Sequence, residues 1–124
     1  MDTEELHEKG LKLRRQMFGN PAVEQRMHVF GAFGEPLQKM INAYAYGDVW
    51  SRPTVPPATK SLAVIGMLAA LGRSDELRVH VKGAVANGCK QEEIRDILLL
   101  VAVYCGIPAA NEAHRIAVDV LRQS

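Results

Sequence analysis

A chain of 124 residues, 48% hydrophobic but only 6% aromatic, is long enough for one domain with an aliphatic core. Its formal charge of +1, with lysines and arginines scattered rather than blocked, gives no electrostatic reason to expect nucleic acid or a membrane surface as partner. Cys89 and Cys105 are too few and too far apart for a zinc site or a disulfide framework, and the acidic start Met1-Asp-Thr-Glu-Glu-Leu6 lacks a secretory pattern; the expectation is a cytoplasmic protein in a reducing compartment.

In chain order, the elements read as helices punctuated by glycine and proline. Asp2 with Glu5 predicts a capped helix running to about Phe18, before Gly19. Asn20-Pro21 predicts a short helix through Val29, and Pro36 opens another, with Leu37, Met40, Ile41 and Tyr44 at helical spacing and Gly47 as its stop. The stretch from Asp48 to Pro57 contains Pro53, Pro56 and Pro57 and predicts the one clear loop. From Ala58 to Leu71 the pattern is apolar almost all round, as in helices buried centrally or against another subunit. Ser74 is placed to cap a helix ending at Asn87-Gly88. A further helix is predicted from Gln91 to Cys105, stopped by Gly106, and Pro108 opens the last, to about Arg122. The longest apolar run, 97–110, is too short to span a bilayer. No segment alternates with period two, so the fold class is all-α, a single domain over residues 1–124.

Within that pattern, Glu76-Leu-Arg-Val-His80 places an acid and a histidine one helical turn apart, on one face. A carboxylate beside an imidazole can handle protons, because each moves the other's affinity for them. On spacing alone an ordinary surface pair accounts for it better. His80 also falls within the stripe Leu77, Val81, Ala84 and Val85, where a histidine is more often a satisfied core residue than a catalyst.

A longer succession of patches changes that balance. Gly47-Asp-Val-Trp-Ser-Arg-Pro53, Ser61-Leu62, Leu68-Ala-Ala-Leu-Gly-Arg73, Glu76-Leu-x-x-His80, Asn87-Gly88, Glu92-Glu-Ile94 and Ala102-Val-Tyr-Cys-Gly-Ile-Pro-Ala-Ala-Asn111 follow one another in order. Together, over about residues 10 to 121, the sequence resembles the carboxymuconolactone decarboxylase family. The wider superfamily includes alkyl hydroperoxidase D-like proteins with a redox CxxC before the same helical histidine. Here those positions hold Arg73 and Glu76, and without a vicinal thiol pair no disulfide can form and be reduced.

The resemblance implies an all-α helical bundle of the alkyl hydroperoxidase D-like type, assembled as a homo-oligomer (trimer or hexamer), with sites near subunit contacts. It implies a small anionic lactone as substrate and decarboxylation without a cofactor or metal. For such chemistry His80 is the first candidate as proton donor, with Glu76 to orient it or to serve as the acid itself. Arg52 is the best carboxylate clamp, since a guanidinium offers two parallel hydrogen bonds. Trp50 would wall the pocket, and Lys60 and His28 complete the candidate substrate-binding set. The chain departs from the family pattern at Thr54-Val-Pro-Pro-Ala-Thr-Lys60, where Pro57 and Ala58 stand at positions commonly basic and Lys60 replaces an arginine. That change predicts reduced anion-binding capacity and leaves open a less anionic lactone, a beta-dicarbonyl acid, or a scaffold that binds small molecules without turnover.

Overall fold

The computed structural model describes residues 2–123, and among them every regular element is helical. The chain divides into two compact units, residues 1–55 and 56–124. No helix among the described residues is long and apolar enough to cross a membrane.

The first unit begins with α1 (Thr3–Phe18), where the backbone N–H of Glu5 donates to Asp2 Oδ1 at 2.8 Å. That bond satisfies one of the donors a helix start leaves over. Next come α2 (Asn20–His28), a 3₁₀ turn (Gly31–Gly34) that the residue pattern does not announce, and α3 (Glu35–Met40). Gly47 does not stop the chain there. The helix continues from Ile41 to Trp50 in π-helical form, so the expected loop loses Asp48, Val49 and Trp50. The reason is spatial: a Cβ at Gly47 would stand 2.2 Å from the carbonyl oxygen of Leu6 on α1. Reciprocally, a Cβ at Gly10 would stand 1.6 Å from the carbonyl oxygen of Asn42. Glycine at both positions lets α1 and the π-helix pack backbone against backbone. Gly10, Arg14, Met17 and Phe18 make the buried stripe of α1, and Asn42, Ala43, Tyr46 and Gly47 that of the π-helix.

The second unit holds α4 (Pro57–Leu71), α5 (Ser74–Ala86), α6 (Gln91–Cys105) and α7 (Ile107–Arg122). Pro57 is the first residue of α4, where its missing N–H leaves nothing unsatisfied. Each helix buries one stripe: Ser61, Ile65 and Ala69; Leu77, Val81 and Ala84; Ile94, Leu98 and Val101; Ala110, Ala113, Ile116, Ala117 and Val120. The alanines on these stripes let the helices approach closely around Ile65 and Leu98. α4 is not buried all round, because Met67 and Leu71 remain exposed.

Gly72, at φ 71°, ends α4 in the left-handed conformation, and the N–H of Arg73 donates back to Leu68 O at 3.0 Å. The turn is so tight that Arg73 takes the cap position, and Ser74 becomes the first helical residue without a side-chain cap bond. Glu93 closes the start of α6 by accepting from the Lys90 N–H at 2.8 Å.

Candidate active site

Lys60, Glu76 and His80 lie in the second unit, and His28, Trp50 and Arg52 in the first. Glu76 and His80 share one face of α5, as their spacing requires. Leu77 and Val81 beside them are buried and fix the helix against the core, which leaves His80 half-buried and Glu76 exposed.

Lys60 sits in the first turns of α4, whose start is tied to the end of α5. Asn87 Nδ2 donates to the buried Ser61 Oγ at 3.0 Å, and Cys89 Sγ donates to Ala58 O at 3.2 Å. Burial, and then Glu93, push the Cys89 thiol up from its ordinary pKa, so it is held as an inert thiol rather than a nucleophilic thiolate.

Trp50 stacks on Tyr46, ring centroids 5.9 Å apart and planes within 13°. Tyr46 in turn meets Phe18 edge-on at 5.9 Å. Arg52 is exposed and already faces a carboxylate of its own chain: Nε lies 3.2 Å from Asp48 Oδ1, and Nη2 lies 3.4 Å from Oδ2. The side-chain fork expected to hold substrate is thus engaged by an i,i+4 carboxylate of its own chain. His28 is exposed on α2, its Nε2 3.3 Å from Glu24 Oε2.

The structure adds a polar cluster that sequence reasoning passed over. Arg14 is 5% exposed, and its Nη1 donates to Gln38 Oε1 at 2.9 Å and to Asn42 Oδ1 at 3.0 Å. The signal was present in the sequence, since Arg14 stands on the same helical stripe as Gly10, Met17 and Phe18, a charge at a core position. No group of three or more His, Cys, Asp or Glu side chains that could hold a metal ion occurs among the described residues.

Residues 35–119 match the carboxymuconolactone decarboxylase family, and the chain belongs to that family. It is 36% identical over 122 residues to the 4-carboxymuconolactone decarboxylase of Acinetobacter baylyi, covering 98% of this chain and 91% of the relative. It is also 36% identical over 108 residues to a nitrosuccinic acid decarboxylase of Metarhizium robertsii, covering 87% of this chain and 76% of the relative. A shorter match, 38% over 68 residues, covers 52% of this chain and 32% of Peroxisomal protein 2 of Schizosaccharomyces pombe.

Proposed function

We propose that the protein is a cofactor-independent carboxy-lyase that converts 4-carboxymuconolactone to 3-oxoadipate enol-lactone, a step of protocatechuate breakdown. The observation that carries this reading is the near full-length likeness to the Acinetobacter enzyme of that name. In the lactone, the departing carboxylate sits on a ring carbon vinylogous to the carbonyl. Its C–C bond breaks, carbon dioxide leaves, and the electron pair spreads through the ring alkene into the carbonyl as a dienolate. A proton delivered alpha to the carbonyl completes the product. The ring is its own electron sink, so the chain must supply only cations, a donor at the developing oxyanion and an acid.

His80 delivers the proton in this reading, and Glu76 orients the imidazole. Arg52 and Lys60 hold the carboxylates, with His28 as a further donor, and Trp50 walls out water. Asp48 competes with substrate for Arg52, and an exposed pair of this kind is weak enough to exchange. Asp48→Asn is accordingly expected to lower KM for the anionic lactone about two- to fivefold with kcat unchanged. A KM that rises would take Arg52 out of substrate binding.

A second substrate is favoured by one observation, the nitrosuccinic acid decarboxylase among the relatives. In nitrosuccinic acid, as in the lactone, a carboxylate leaves a carbon whose electrons an attached acceptor can take. The same acid and clamps would serve a flexible dicarboxylate.

The protein works, on this proposal, as a homo-oligomer in the cytoplasm. Val103 and Tyr104 at the end of α6 are 75% and 83% exposed, and Ile107 beside them is exposed too, an apolar patch that a second copy would cover. The test is to add purified protein to 4-carboxymuconolactone generated in situ and follow carbon dioxide release and the ring protons by NMR. Light scattering on the same sample gives the mass. Turnover well above the spontaneous rate by an assembled species is the expected result. A folded protein with no turnover of the lactone, but turnover of nitrosuccinate, would transfer the assignment to the second substrate; an active monomer would remove the assembly.

A further inference from the structure

The polar cluster of the first unit has more donors than acceptors. Both of the side-chain oxygens that Arg14 engages belong to amides, Gln38 and Asn42, and no carboxylate of the described residues pairs with Arg14 or Arg26. Arg14 instead lies 5.9 Å from the centroid of the Tyr46 ring, and Arg26 lies 6.0 Å from that of Phe18. With their oxygens turned to Arg14, the two amides direct their NH₂ groups elsewhere. Asn42 is 0% exposed, and its Nδ2 meets no acceptor; nor does the buried Nη1 of Arg26. Burial lowers the Arg14 pKa most, and Arg26 lowers it further, against an opposing pull from Tyr46. A positive charge is buried here with no carboxylate of the described residues to pair it.

A cavity of about 630 Å³ opens in the same unit, and Gln38 is common to it and to the cluster. Its volume suits a small molecule. His7, His28 and Lys39 line it with Met27 and Pro36, and Glu35 is its one acid. His7 Nδ1 is buried without a hydrogen-bond partner. Arg14 holds the Gln38 oxygen, which leaves Nε2 as the remaining donor of an amide that lines the cavity. A neutral donor backed by a buried cation, with an ammonium group and imidazoles around it, is what an acceptor-only group requires. A carboxylate has two oxygens and accepts only.

We propose that this cavity is a carboxylate-binding site, in which Gln38, His7 and Lys39 contact the ligand while Arg14 orients Gln38 and supplies the positive field. The ligand is a small dicarboxylic acid, and the identity of that acid as substrate rests on the decarboxylase reading.

The experiment is titration of the full chain with succinate by calorimetry and ¹H–¹⁵N NMR, with dimethyl succinate as the uncharged control. Gln38→Glu is the informative variant, because it gives Arg14 a counter-charge and turns the cavity donor into an acceptor. Expected are unchanged or raised thermal stability, succinate binding weakened at least about tenfold, and shifts in the wild type centred on residues 7, 27–28 and 35–39. Lys39→Met, at an exposed position, provides a second variant whose folding is not in question and is expected to weaken binding about threefold or more. Wild-type protein that does not bind succinate, binds the ester equally well, or binds as tightly after Gln38→Glu overturns the site. Binding is read without turnover, so its failure in a protein that decarboxylates sinks this proposal alone. Succinate bound through Gln38 by a protein that turns nothing over sinks the reaction instead.

Discussion

His80→Ala is expected to lower kcat for decarboxylation by about 10²–10⁴-fold, the range typical of removing a positioned proton donor. The loss should fall on kcat more than on KM, since the proton is transferred after carbon dioxide has left and the dienolate exists only along the reaction path. His80 is half-buried between core positions, so a purely structural role has to be separated from a chemical one. His80→Gln does this, because it keeps a hydrogen-bonding side chain of similar reach but cannot protonate carbon. Expected are a folded protein with the same thermal midpoint and activity as low as the alanine variant. Activity restored by glutamine would make His80 a packing residue. On the proposed mechanism, in which Glu76 only orients the imidazole, Glu76→Gln should cost less than loss of the acid itself.

Gly10→Ala is expected to be the most damaging single methyl group in the first unit. Its Cβ would lie 1.6 Å from Asn42 O and 2.6 Å from Gly47 N, both backbone atoms that no rotamer change can move aside. The helix would have to shift bodily, and α1 would lose its seat on the π-helix along with the seating of Arg14 against Gln38 and Asn42. Overpacking against backbone belongs with the large destabilising mechanisms, and a loss of about 3–5 kcal/mol is expected, a large share of the stability of a small protein. Urea unfolding measures it, and hydrogen exchange should show the loss in residues 3–50 first. A loss below about 1 kcal/mol would mean that the two helices are not seated on each other through glycine in solution.

The sequence was most legible where one physical signal acted alone. Gln91–Cys105 is a helix end to end as read, because its apolar stripe is regular and Gly106, at φ 100°, stops it. The Glu76–His80 face came from helical periodicity alone. Gly47 departs from the helix stop its sequence predicts because glycine has two uses, ending a helix and admitting a neighbour, and only the partner surface of α1 distinguishes them. The role of Ser74 was lost to a one-residue difference at a tight turn, where Gly72 and Arg73 close α4 before α5 begins. Arg14 was passed over because the residues that satisfy it, Gln38 and Asn42, are 24 and 28 positions away. Exposure of Glu76 was not readable at all, since it depends on which surfaces surround α5 rather than on α5 itself.

The π-helical run from Ile41 to Trp50 makes the count of residues between α3 and the 51–56 stretch a structural quantity in its own right. Hydrogen bonds that reach five residues instead of four take up more chain per turn, so the segment stores length as width. Tyr46 and Trp50, four residues apart on this segment, lie with their rings nearly parallel. In an ordinary α-helix each added or removed residue rotates the downstream chain by about 100°. The direction in which Arg52 leaves the helix is therefore set by chain length upstream of it, before any side chain near it is chosen.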